Sequence, residues 1–137
     1  MGAWGHNSFE NDDALDWVSN EFEGSEDMSA IAAALELVAD WDAEEYLELP
    51  ECGAALAAAE VLAAVLGRPS PALPPEIAEW AANHCFPEAG SIVPMALKAI
   101  KRVEENSEMH GLWDDTGDST EWKAGVSDLK LRLKGRG

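Results

Sequence analysis

Between Pro50 and Gly67 the chain carries seven alanines with Leu56, Val61, Leu62, Val65 and Leu66, and after Glu51 only Glu60 is charged. Alanine has the highest intrinsic helix propensity. Pro50 suits a first helical turn, whereas Gly67, Pro69 and Pro71 oppose continuation. One helix over about 51–66 is predicted. Ala55, Ala58, Ala59, Leu62, Val65 and Leu66 share one of its faces at helical spacing. Side chains so small let neighbouring helices approach closely, so this segment is expected to be the central helix.

The remaining segments read as shorter helices around it. Asn11-Asp12-Asp13 caps a short helix through Trp17 that Gly24-Ser25 ends. A second helix starts near Ser25 or Ser29 and runs to about Trp41, with Met28, Ile31, Leu35, Val38 and Ala39 inward. Tyr46-Leu47-Glu48-Leu49 alternates without a partner strand and reads as an extended connector. Pro74-Pro75-Glu76 opens a helix carrying Ile77, Trp80 and Ala81, which His84 to Pro87 ends. From Ser91 to Glu105, Ile92, Met95, Ala96, Ala99, Ile100 and Val103 point inward, Pro94 falls in the first turn, and Lys98, Lys101 and Arg102 form the outer face. Ser107 caps one or two turns. A last helix from Ser119 or Thr120 aligns Trp122, Val126, Leu129 and Leu133, before a frayed basic tail at 134–137. The expected fold is all-α: one domain over 1–137, with an N-terminal arm at 1–10, forming an irregular, orthogonally packed bundle of six or seven short helices.

Charge is segregated along the chain. Residues 1–67 hold sixteen Asp and Glu and no Lys or Arg; residues 68–137 hold eleven acids and all nine bases. A net charge of −18 repels nucleic acid and anionic membrane and attracts basic partners. Such a surface also has a simpler use, in keeping a protein soluble. No apolar run reaches the ~18 residues of a spanning helix or the pattern of a signal peptide. Cys52 and Cys85 lack CxxC spacing and suit a reducing compartment, so the expected location is the cytoplasm.

Candidate chemistry concentrates near the N-terminus. Trp4, His6, Asn11, Asp12, Asp13, Asp16 and Trp17 are the candidate binding residues, on a loop that Gly2 and Gly5 allow into unusual backbone conformations. The simpler reading is an arm pinned by Trp4 and Phe9 and ending in a helix cap. Asp12 and Asp16, four apart, share a helix face with Asp13 nearby. Grouped carboxylates bind Ca²⁺ or Mg²⁺, and equally hold an arginine such as Arg102 or Arg132. No ligand-loop motif surrounds them: Asp114 to Asp118 fails the calcium-loop spacing, and the three His and two Cys match no zinc pattern. No metal and no cofactor is therefore expected. GxSxG, P-loop and GxGxxG motifs are absent, and Ser91, Ser107 and Ser119 read as helix caps.

Met1-Gly2-Ala3-Trp4-Gly5 followed by Phe9-Glu10-Asn11-Asp12-Asp13-Ala14-Leu15-Asp16-Trp17 resembles the opening of the bacterial family called domain of unknown function 4259. The Ala-rich run from Ala54 through Leu66-Gly67-Arg68-Pro69 adds to the resemblance, as do Asn106-Ser107-Glu108, Leu112-Trp113-Asp114 and Glu121-Trp122. Asn7 stands where that pattern would have glycine, and asparagine also enters left-handed turns. The resemblance implies a bacterial-type cytosolic protein and brings no activity with it.

Three functional readings follow. The first is a non-catalytic acidic protein binding a basic protein partner, as an immunity protein or inhibitor does. The second is a metal-dependent enzyme or ligand-binding domain built on His6, Asn11, Asp12, Asp13 and Asp16. The third is a helical scaffold or oligomerisation module.

Overall fold

The computed structural model describes residues 16–18, 22, 28–42, 44–70, 73–83, 86, 89–105, 107–111 and 119–135. The helices are α1 Ser29–Ala39, α2 Leu49–Val65, α3 Pro75–Asn83, α4 Ala89–Glu105 and α5 Ser119–Leu133. A helical turn follows at 108–111, and Asp16 and Trp17 belong to another helical stretch. Among the described residues there is no strand, and the all-α expectation holds.

Helix α2 packs against α1, α3, α4 and α5, while α1 also packs on α4 and α4 on α5. The Ala-rich run is thus central, but its burial is not confined to one face. Residues 55–64 are all buried, including Leu56, Ala57, Val61 and Ala63, whereas Val65 and Leu66 are only half-buried. The one-face expectation fails because neighbours surround the helix, and a helix that is apolar all round belongs in an interior. Alanines at the contacts let those neighbours come close. The core they complete includes Ile31 and Leu35 of α1, Ile100 of α4 and Leu129 of α5, all fully buried.

The ends of α2 follow their local chemistry. Glu48 is extended, with ψ 161°, and Pro50 lies in the first turn, so residues 46–48 form the predicted connector while Leu49, expected in it, already begins α2. At the other end Gly67 has φ +91°, a conformation that side chains disfavour. It donates to the Ala64 carbonyl at 3.0 Å, and Arg68 donates to that of Ala63 at 2.9 Å. These two bonds are the Schellman closure, which satisfies carbonyls the helix leaves open.

Helix α4 begins at Ala89, two residues before Ser91, which moves Pro94 from the first turn into the second. There its missing N–H removes an intrahelical bond to Gly90, and the ring faces solvent. In α5, Trp122, Val126, Leu129 and Leu133 are all buried, as the stripe predicts. Lys134 and Gly135 carry the closing bonds of α5, donating to Lys130 and Arg132 carbonyls at 3.0 and 3.1 Å. No helix among the described residues is long and apolar enough to cross a membrane.

Candidate functional site

Of the seven candidate binding residues, Trp4, His6, Asn11, Asp12 and Asp13 lie outside the described residues, as do His84 and Cys85. Asp16 is exposed, and Trp17 next to it is buried. The Trp17 ring stacks on Phe22 with centroids 5.4 Å apart. Phe22 meets Trp80 edge-on at 4.7 Å, and Trp80 stacks on Phe86 at 5.6 Å. This aromatic chain ties residues 17 and 22 to α3 and its C-terminal flank. Trp17 therefore acts as an anchor, and it also lines an open cleft of about 310 Å³ with Ala30, Ala33, Ala34 and Leu37 of α1.

Arg132 is engaged by carboxylates of α2 and α5. It is buried, and its guanidinium holds Glu60 with Nη1–Oε1 at 2.8 Å and Nη2–Oε2 at 3.3 Å. Its Nε donates to Asp128 at 2.7 Å. Arg132 Nη1 also donates to the Arg68 carbonyl at 3.3 Å, while Arg68 Nε donates to the Arg132 carbonyl. The two arginines thus clasp the C-terminal ends of α2 and α5, where helix dipoles favour cations. Hydrogen bonds to two carboxylates outweigh desolvation and raise the Arg132 pKa further. Glu60, the lone charge in the Ala-rich run, has its explanation here.

Arg102 departs from the expected outer face of α4. Lys98 and Lys101 are exposed, but Arg102 is half-buried and reaches the segment after α1. It donates to the carbonyls of Trp41, Asp42 and Glu45 at 3.3, 3.0 and 2.5 Å. Leu47 is fully buried, and its carbonyl accepts the Glu108 N–H at 2.8 Å. Asp42 Oδ1 accepts the Glu44 N–H at 2.9 Å. Residues 41, 42 and 44–47 are consequently a connector with several independent anchors.

The surface of that connector and of its two flanks is acidic. Glu36, Asp40, Asp42, Glu44, Glu45 and Glu48 are exposed, and among the described residues none of them forms an ion pair. Tyr46 projects from their midst with 66% of its surface exposed. Glu36 and Asp40 sit one turn apart, where like charges repel. Arg102 fixes the backbone of this ridge through carbonyl oxygens. Sequence reasoning located the acidity of this half but not the ridge. The alternation around Tyr46 was the available signal: it buries Leu47 and turns Tyr46 and Glu48 outward.

The Cys52 thiol reads as structural. Burial pushes the Cys52 thiol up to about 11, against smaller lowering contributions from Ser107 and the Met109 backbone. A thiol so held stays protonated and is a poor nucleophile at neutral pH. Ser107 is a helix cap, as predicted: its Oγ donates to the Val103 carbonyl at 2.6 Å and accepts the His110 N–H at 3.1 Å. Trp41 Nε1, Glu51 Oε2 and His110 Nδ1 are buried atoms without a hydrogen-bond partner among the described residues.

A family model described as Domain of unknown function (DUF4259) matches residues 2–125. No curated protein and no solved structure matches the chain significantly.

Proposed function

The chain belongs to the DUF4259 family, whose description names no activity, and from its surface we propose that it is a non-catalytic acidic protein that binds a basic protein partner, as an immunity protein or inhibitor does. The observation that carries this reading is the ridge from Glu36 to Glu48, six exposed carboxylates without ion pairs among the described residues, on a backbone pinned by Arg102 and Leu47. Solvating an acidic surface requires charge but no fixed geometry. Holding the charges in place lowers the ordering cost of association, and carboxylates facing water steer a cationic partner to them. Exposed Tyr46 supplies the kind of rigid aromatic that concentrates binding energy at interfaces. The protonated, buried Cys52 thiol suits a reducing compartment, in keeping with a cytoplasmic protein.

A matched pair of charge reversals tests the reading. Glu44→Lys, Glu45→Lys and Glu48→Lys change the ridge; Glu76→Lys, Glu79→Lys and Glu105→Lys make the same change in net charge at exposed positions of α3 and α4. The ridge variant is expected to lose a partner that the unaltered chain captures from lysate at low salt, while the control keeps it. Equal loss from both variants would reduce the interaction to bulk charge, and a partner that survives high salt would remove the electrostatic basis.

A further inference from the structure

Helix α1 buries one apolar face in the bundle and leaves a second partly exposed, at Ala33 and Leu37. Ile31, Leu35, Val38 and Ala39 are buried in the bundle. Ala30, Ala33, Ala34 and Leu37 form a second stripe at i, i+3, i+4 and i+7 that faces the cleft beside Trp17. Leu37 is 52% exposed, and Ala33 is exposed as well. Along the helix circumference the next positions outward are Glu36 and Asp40, both exposed and without ion pairs among the described residues. The cleft thus has an alanine floor, an aromatic wall and an acidic rim continuous with the ridge.

We infer that this cleft is a groove for an amphipathic helix of a partner protein, with aliphatic residues on its inserted face and Lys or Arg along the edge that meets Glu36 and Asp40. The inference rests on the proposed function and adds the form of the partner. Small-ligand pockets converge several polar groups on their occupant. Among the described residues the lining is the Trp17 indole with the aliphatic groups of α1, whose spacing is that of anchors in helix-in-groove recognition. Charge selects the occupant. A second copy would bring Glu36 and Asp40 against carboxylates of their own kind, at −18 per chain, whereas a cationic helix neutralises the rim.

The test titrates the isotope-labelled full chain with a synthetic leucine/lysine helical peptide patterned to be amphipathic, and with a scrambled peptide of identical composition. Amide shifts, calorimetry and light scattering are the readouts. The amphipathic peptide is expected to shift amides across 30–37 and to bind about tenfold more weakly to Leu37→Glu, a change at an exposed site whose folding circular dichroism verifies. The scrambled peptide is expected to bind weakly and to ignore that substitution. Equal binding of both peptides, or indifference of the amphipathic one to Leu37→Glu, overturns the groove while leaving the acidic ridge as a binding surface. Self-association abolished by Leu37→Glu also overturns it, in favour of a second copy. If neither peptide shows salt-sensitive binding, the groove and the reading beneath it fall together.

Discussion

Arg132 and Arg102 each join distant parts of the chain, yet one seals a charge inside the bundle and the other leaves charges outside. Arg132 meets Glu60 in the buried contact between α2 and α5, where an unpaired carboxylate would be costly. Arg102 bonds to the carbonyls rather than the carboxylates of Asp42 and Glu45, and to that of Trp41, so these bonds leave the acidic side chains facing water. The buried carboxylate is matched by a buried guanidinium, whereas the ridge carboxylates face water without ion pairs among the described residues, on a backbone that Arg102 nonetheless anchors.

The largest expected effect comes from breaking the matched pair. Arg132→Met strands Glu60 and should cost about 3–5 kcal/mol by urea denaturation. Adding Glu60→Met should recover part of that loss, since an apolar pair leaves no buried charge; a double variant no better than the single one would mean that the Arg68 clasp dominates. Next comes Cys52, close to the ridge but sealed from it. Its folded pKa lies above its ordinary value of 9.0, so its contribution to stability is complete below about 9 and is lost as pH rises toward 11. A decline on the order of 2–3 kcal/mol across that window, flattened in Cys52→Ala, is expected from melts at each pH. In the folded chain at pH 8 the same thiol should resist a disulfide reagent that modifies it in urea.

Arg102→Met should cost less, about 1–2 kcal/mol, because its bonds lie at a partly exposed site. Its sharper signature is local: amide exchange at Glu45 and Glu108 should accelerate more than exchange in α2. Uniform acceleration would show that Arg102 supports the whole bundle rather than the connector. The smallest effect belongs to the ridge. Glu44→Lys with Glu45→Lys should leave stability within about 0.5 kcal/mol. A larger loss would mean that these carboxylates have structural partners, and the contrast between the two regions would disappear.

Much of the bundle was legible because local chemistry marks its ends. Pro50 and Gly67 bracket α2, Ser107 caps its turn, and the stripe from Trp122 to Leu133 describes the buried face of α5. Errors arose where composition looks alike in every direction. Alanine on all sides of α2 conceals which faces have neighbours, so a single face was chosen where all were covered. Ala89 and Gly90 gave no start signal as clear as Ser91, and α4 therefore seemed to begin late. Arg102, one residue past Lys101, was grouped with the lysines because the turn of a helix does not reveal what a long side chain can reach.

By itself the chain's order of residues determined helices, their approximate limits, an interior Ala-rich segment and an acidic first half. These follow from backbone preferences and hydrophobic spacing, which act over a few residues. Only the tertiary structure decided that Glu60 takes Arg132 among nine bases, that Arg102 secures the connector, and that Ala33 and Leu37 of α1 stay exposed beside Trp17. Such pairings depend on which surfaces meet across dozens of residues, and local propensity carries no information about that distance.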